Sequence, residues 1–133
     1  MDKPGQSAGL ELRPAHFPGR APIDAYGNGG FRFADMSHKG SLMCLPSGIY
    51  GWHVEAPGDL RDEHFDRVVE EAKDVEVFLL GMGNDFLPIP KALRPLFKEL
   101  SIVAEPMSTG SAVRTFNVLL SEGRAIGCGL IAV

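Results

Sequence analysis

The spacing of hydrophobic residues changes midway along the chain. Between residues 23 and 54, apolar residues alternate with polar ones or form short runs bounded by glycine, which is typical of β-strands. The turn signals are Gly27-Asn28-Gly29-Gly30 and Pro46-Ser47-Gly48. The predicted strands cover residues 23–26, 31–33, 41–45 and 49–54. The first half therefore predicts a β-meander.

From Leu60 onward the apolar residues fall at helical spacing, with acidic residues between them. The pattern predicts helices over 60–72, 88–100 and 111–122, and strands over 75–80, 102–105 and 125–132. Pro95 is expected to kink or delay the second helix. Ser108 or Thr109 is expected to begin the third helix, and Gly123 to end it in the left-handed conformation.

A meander followed by alternating helices and strands predicts an α/β fold with a mixed central sheet and helices packed on it. The alternative is an α+β domain in which the meander forms its own small sheet beside the main one. Prolines and glycines interrupt residues 1–22, which we expect to be a partly mobile arm. Residues 23–133 are then expected to form a single domain.

Charge and composition exclude several classes of protein. The 133 residues carry 13 Lys and Arg scattered among 17 Asp and Glu, so no basic stripe is available for nucleic acid. The longest apolar run, near residues 77–80, is far shorter than the ~20 residues of a membrane span. The amino terminus lacks the apolar core of a secretory signal. We therefore expect a cytoplasmic protein.

A candidate anion site follows the predicted central strand. Gly81, Met82, Gly83 and Asn84 come after a buried strand and precede a helix, so their N–H groups can face a ligand at the carboxyl end of the sheet. The start of the third helix adds donors, which are the hydroxyls of Ser108, Thr109 and Ser111 and the guanidinium of Arg114. The structural alternatives are tight-turn glycines without a ligand and an internal ion pair between Arg114 and a carboxylate such as Asp85.

Asn117 lies one turn beyond Arg114 and can face the same site, or its amide can bond a loop carbonyl instead. Cys44 and Cys128 lie in apolar strands without a C-x-x-C spacing, which predicts buried, reduced thiols. No histidine has a partner at metal-ligand spacing, so no metal is expected. Motifs for a dinucleotide, a Walker phosphate site or a catalytic triad are missing, so no cofactor and no catalytic residue is predicted.

Four segments resemble the Mth-type domain family of unknown function, which includes mitochondrial complex I assembly factor three, its bacterial and archaeal relatives and an adipogenesis-associated protein. The most specific segment is the run Arg114-Thr115-Phe116-Asn117. The other segments are 25–33, 40–48 and 79–83. Relatives often have Gly-Thr-Gly where this chain has Gly81-Met82-Gly83, and Cys where it has Val113.

The resemblance implies a three-layer fold, with helices on one side of the mixed sheet and a smaller β layer on the other. It also implies a non-catalytic assembly or interaction protein, which can assist biogenesis of a respiratory or other membrane complex at the membrane surface. In this hypothesis a protein partner contacts meander side chains such as Tyr26, Phe31 or Tyr50. The alternative hypothesis is a small-molecule anion-binding protein or enzyme, with its pocket at the 81–85 loop and the 108–117 helix start.

Overall fold

A computed structural model describes residues 16–133, without the side chain of His16. Three helices are present, α1 (Asp66–Glu70), α2 (Arg94–Leu100) and α3 (Thr109–Ser121). The strands are β1 (His16–Pro18), β2 (Ala25–Gly27), β3 (Gly30–Phe33), β4 (Met36–Lys39), β5 (Ser41–Leu45), β6 (Gly48–Trp52), β7 (Val77–Gly81), β8 (Val103–Met107) and β9 (Ile126–Leu130). Four short 3-10 turns occur at Pro57–Asp59, Asp62–Phe65, Ala72–Asp74 and Lys91–Leu93.

Six of these strands form one mixed sheet in the order β1-β6-β5-β9-β7-β8. Strand β7 pairs in parallel with β8 and β9, whereas β5 pairs antiparallel with β6 and β9. Strands β2, β3 and β4 form a separate antiparallel sheet. The predicted α/β class, mixed central sheet and smaller β layer are confirmed.

The two faces of the six-stranded sheet bury two apolar clusters. One cluster lies under α1 and α2 and contains Val68 and Phe97. The other lies under α3 and the three-stranded sheet and contains Phe33 and Phe116. Strand β5 contributes to both, because alternate residues of a strand point to opposite faces. All five residues of β5 are buried, which identifies it as a central strand.

Helix α3 therefore shares a face with the smaller sheet, whereas the resemblance implied helices on the opposite side only. The strand order explains this arrangement. The chain moves outward from β7 to β8 through α2, and then returns across β7 to reach β9 through α3. Because both crossovers between parallel strands are right-handed, the two connecting helices fall on opposite faces.

Turn chemistry accounts for one predicted hairpin and one unpredicted strand. Asn28 and Gly29 both have positive φ, of 52° and 79°, as the Asn-Gly signal between β2 and β3 predicts. Ala34 and Asp35 form a similar turn, with φ of 47° and 61°, before β4. Because neither residue is glycine or asparagine, the sequence contains no strong signal for this turn, and β4 was not predicted.

The helices begin and end at somewhat different residues from those predicted. Only Asp66–Glu70 of the predicted 60–72 helix is α-helical, and 3-10 turns flank it. Pro95 lies in the first turn of α2, where its missing N–H is harmless, so it delays the helix as predicted. Ser108 caps α3, and Gly123 has a φ of 73°, as predicted for a left-handed stop.

Part of the predicted arm belongs to the sheet. Strand β1 pairs antiparallel with β6, and Ala21 is buried in the cluster beneath α3. Residues 1–15 lie outside the described residues, so the arm remains a prediction there. The packed chain thus begins no later than residue 16 instead of residue 23.

Strand β8 is the outer strand at one end of the six-stranded sheet. The N–H of Val103 bonds the carbonyl of Glu76, and the carbonyl of Met107 accepts from Met82. Residues 103 and 107 therefore direct their backbone groups toward β7, and the alternate residues Ala104 and Pro106 direct theirs toward the open edge. Since proline has no N–H, this edge lacks one of its donors.

Candidate functional site

Strand β7 and the start of α3 meet at the carboxyl edge of the sheet, as the sequence predicts. Gly81, the last residue of β7, approaches the helix closely. A Cβ atom at residue 81 would lie 2.9 Å from the Thr109 Cα atom and 3.1 Å from Leu130 Cδ2. Glycine is therefore required at residue 81 because the backbone of α3 occupies the space of a side chain.

Thr109 bonds the loop and the end of β9 at the same time. Its fully buried Oγ1 donates to the carbonyl of Ile131 at 2.7 Å and accepts from the N–H of Gly83 at 3.0 Å. Its own N–H donates to the carbonyl of Gly83 at 2.8 Å. These bonds give the Thr109 hydroxyl a structural role, and they engage the Gly83 N–H that was predicted to face an anion.

The rest of the 81–84 loop is divided between core and solvent. Met82 is 1% exposed and packs in the cluster beneath α1 and α2. Its N–H donates to the carbonyl of Met107 at 2.8 Å. Asn84 is exposed. Two of the backbone donors predicted to form an anion cradle are thus already engaged within the fold.

A line of polar groups follows the first turns of α3. Ser108 Oγ accepts from the N–H of Ser111 at 3.3 Å and lies 3.1 Å from Ser111 Oγ. The exposed guanidinium of Arg114 reaches Ser111 Oγ at 3.5 Å. The structure thus brings three of the candidate residues together, with their polar groups directed at one another. They are Ser108, Ser111 and Arg114.

Arg114 makes no ion pair within residues 16–133, so the predicted internal pair with Asp85 is wrong there. Both side chains are exposed. The helix begins at Thr109 rather than at residue 111, which places Arg114 in the second turn, farther from the positive end of the helix dipole. Arg114 therefore needs no nearby carboxylate to offset repulsion from the positive end of the helix dipole.

Asn117 connects α3 to the segment that precedes the smaller sheet. Its Oδ1 accepts from the N–H of Ile23 at 2.9 Å, and its Nδ2 donates to the carbonyl of Ile23 at 2.9 Å. Both ends of the amide are therefore used within the fold. The structural alternative for Asn117, a bond to a loop carbonyl, is the one the structure shows.

Cys44 and Cys128 are both free and buried, as the sequence predicts. They are also direct partners across the β5–β9 pair, which the sequence does not reveal. Burial and the neighbouring Cys44 thiol raise the pKa of the Cys128 thiol well above its ordinary value. At neutral pH the Cys128 sulfur is thus a protonated, weakly nucleophilic group.

The exposed apolar surface differs from the predicted meander surface. Phe31 is 2% exposed, and Tyr50 is half-buried with the Arg67 guanidinium 4.0 Å from its ring centre, so of the three named aromatics only Tyr26, at 41%, is exposed. Phe31 faces the core because its strand alternates toward the six-stranded sheet. The meander aromatics thus serve mainly as core residues.

A loop after β7 exposes more apolar surface. Phe86 is 70% exposed and Leu87 is 40% exposed. One signal in the sequence could have identified this loop, because an aromatic residue stands there among turn-forming residues and prolines. A cleft of about 410 Å³ was also not predicted; it lies on the smaller sheet and is lined in part by Ala25, Arg32 and Lys39.

No helix within residues 16–133 combines the length and the apolar character needed to cross a bilayer. Three comparisons place the chain among known proteins. It is 28% identical to the mouse (Mus musculus) protein named NADH dehydrogenase (ubiquinone) 1 alpha subcomplex assembly factor 3, over 95% of this chain and 68% of that one. A crystal structure described as an outer membrane protein from Bartonella henselae is 58% identical, with a TM-score of 0.85, covering 88% of this chain and 98% of that one.

A solution structure of a Mth938-like domain from Bordetella pertussis has a TM-score of 0.71 at 23% identity, over 84% of this chain and 85% of that one. This likeness shows the fold alone. A family described as "Protein of unknown function (DUF498/DUF598)" matches residues 23–131. The Mth-type resemblance is therefore confirmed: the chain has the fold of Mth938-like domains, is similar to a complex I assembly factor, and belongs to this DUF498/DUF598 family.

Proposed function

We propose that this protein is a non-catalytic assembly or interaction protein that binds a protein partner through the apolar loop, residues 84–90. The observation that carries the proposal is the exposure of Phe86, at 70%, beside Leu87, at 40%. Burying a large apolar side chain in an interface contributes about 1.5–3 kcal/mol. Adjacent exposed apolar side chains of this kind mark interaction surfaces more often than isolated ones.

The apolar loop is built to present these side chains. Ile89 is partly buried against the cluster beneath α1 and α2, which anchors the loop on the domain. Pro88 and Pro90 flank Ile89 and restrict the backbone. A restrained loop loses less conformational entropy on binding than a flexible one, so its apolar contacts contribute more to affinity.

Relatives support the choice of partner. The mouse relative is named as an assembly factor for NADH dehydrogenase. By analogy, we propose that the partner belongs to a respiratory or other membrane complex, and that the protein meets it in the cytoplasm or peripherally at the inner membrane. The polar groups of Thr109 and Asn117 already bond backbone atoms, so neither side chain offers a free group for catalysis.

The test is affinity purification from native cells with mass spectrometry, followed by affinity measurements on the purified pair. The double variant Phe86→Ser with Leu87→Ser should bind the recovered partner at least about tenfold more weakly. The matched control is Val118→Ser, because Val118 is 55% exposed on α3, away from the loop. Equal binding by wild type and the double variant would reject the apolar loop as the interface.

A second candidate function is binding of a small anion at Ser108, Ser111 and Arg114. It is favoured by one observation, the exposed Arg114 guanidinium without an ion pair in residues 16–133. Titration with inorganic phosphate, followed by amide NMR, should then shift the 108–111 signals in wild type and not in Arg114→Ala. Lys98→Ala, an α2 cation, is the control. Shifts that persist in Arg114→Ala would exclude Arg114 from this site, and an absence of shifts in wild type would exclude the site.

A further inference from the structure

Cys44 and Cys128 are positioned as a pair at the centre of the six-stranded sheet. Cys44 of β5 lies directly opposite Cys128 of β9, two residues along from the pair Leu42 and Leu130. Residues two apart on a strand share a face, and all four side chains belong to the cluster beneath α3. Both sulfur atoms therefore point into the same layer of the core.

The backbone register determines the separation of the two cysteine side chains. The N–H of Ile131 donates to the carbonyl of Gly81, so the backbone groups of alternate β9 residues face β7 and those of Cys128 face β5. Cys44 and Cys128 are therefore a hydrogen-bonded pair, the wider kind, with Cβ atoms near the upper end of the range of about 4.5–5.5 Å. A disulfide requires Cβ atoms about 3.5–4.5 Å apart. The two strands thus have to move roughly 1 Å closer at this pair before a bond can join the sulfur atoms.

We propose that hydrogen peroxide oxidises Cys44 and Cys128 to an intramolecular disulfide within the folded protein. One thiolate attacks a peroxide oxygen, breaking the O–O bond to give a sulfenic acid and, after protonation, water. The second thiol then displaces the sulfenic oxygen, which leaves as a second water. The two thiols lose two electrons and two protons, and the peroxide gains both.

The surroundings of the pair determine how this reaction proceeds. Cys44 is 2% exposed and Cys128 is fully buried among apolar side chains such as Leu79 and Phe116. Bulky disulfide reagents cannot enter such a layer without opening it, whereas peroxide is close to water in size. The raised pKa of Cys128 limits the thiolate concentration, so oxidation should be slow at neutral pH and faster as pH rises.

A bridge at this position would join the two halves of the fold. Strand β5 belongs to the meander half and β9 follows α3 at the end of the α/β half. The bridge would therefore hold the meander to the parallel strands covalently. The apolar loop lies outside this contact, so the formation of the bridge can be tested independently of the interaction proposal.

The experiment treats the full chain with hydrogen peroxide in native buffer and follows intact mass and peptide mapping. Loss of the mass of two hydrogen atoms, with a Cys44–Cys128 crosslinked peptide, is the expected result. The thermal midpoint of the oxidised protein should rise by roughly 5–15 °C. Cys44→Ala and Cys128→Ala are matched controls, and each should gain oxygen on its remaining thiol without forming the bridge.

Four outcomes would overturn the proposal. The first is oxygen addition to wild type without a crosslink, and the second is crosslinking only after denaturation. The third is an oxidised form with a lower thermal midpoint, since a bridge that strains the sheet does not fit the folded geometry. Repeating the reaction at higher pH should increase the rate, and a rate independent of pH would exclude attack by a thiolate.

Discussion

Thr109 joins three segments of backbone through one buried side chain. Its hydroxyl bonds Gly83 after β7 and Ile131 after β9, and its own N–H bonds Gly83 again. Sequence reasoning identified Thr109 as a cap or ligand donor, because a hydroxyl at a helix start serves either role. Only the strand order shows that the ends of β7 and β9 both lie within its reach.

Replacing Thr109 by valine should be strongly destabilising. Valine keeps the shape but leaves the Gly83 N–H and the Ile131 carbonyl without their partner, which should cost about 2–4 kcal/mol in the free energy of unfolding. Thr109→Ser retains the hydroxyl and should lose only about 1 kcal/mol, the contribution of a buried methyl group. Urea denaturation of both variants measures the difference, and equal stabilities would disprove the role of the hydroxyl.

Arg114→Ala should leave stability almost unchanged. The guanidinium is exposed and reaches only Ser111 Oγ at 3.5 Å, so its removal leaves no buried charge behind. We expect a change in unfolding free energy within about 0.5 kcal/mol. The denaturant midpoint, measured with the slope unchanged, checks this expectation. A loss near 3 kcal/mol would instead indicate an ion pair that involves residues outside 16–133.

At the level of elements, α3 is the helix that organises the sheet face it covers. Ala112, Val113 and Phe116 pack into the cluster beneath it, and Asn117 bonds Ile23 ahead of the smaller sheet. The apolar spacing, the Ser108 cap and the Gly123 stop made this helix predictable from sequence. Its contact with residue 23 could not be predicted, because a side-chain amide carries no information about its distant partner.

Asn117→Ala should loosen the attachment of the smaller sheet to α3. Two hydrogen bonds to the Ile23 backbone would be lost in a partly buried setting, at a cost of about 1–2 kcal/mol. Hydrogen exchange at residues 23–33 should accelerate along with the loss of stability. Ser121→Ala on the exposed end of α3 is the control, and equal exchange in both variants would contradict the attachment.

Across the whole molecule, the order of strands determines which predicted sites form. The carboxyl ends of β7 and β8 meet, as expected for parallel neighbours, so the predicted loop and helix start do lie together. The anion pocket was predicted from unpaired backbone N–H groups, and those of Met82 and Gly83 are paired through β8 and α3. Burial of Phe31 likewise depends on the contact between the two sheets.

Pro106→Val should promote self-association. The substitution adds an N–H directed at the open edge beside Ala104, which completes a donor and acceptor pattern that another strand can use. Sedimentation velocity at rising concentration should show a larger species in the variant than in wild type. The control is Val103→Thr, which alters an exposed side chain of β8 but not its backbone. Identical sedimentation of wild type and Pro106→Val would disprove the protective role of this proline.

The proline in β8 also bears on how this protein can release a bound partner. In the assembly role proposed above, the protein has to release each client subunit after binding it. A complete open strand edge would oppose this release, because its backbone groups can form hydrogen bonds with a strand of the client. Because Pro106 interrupts the donors of β8, this edge of the six-stranded sheet does not offer a complete strand for pairing. The proposed contact through Phe86 and Leu87 uses side chains instead, and contacts of that kind can be made and broken repeatedly.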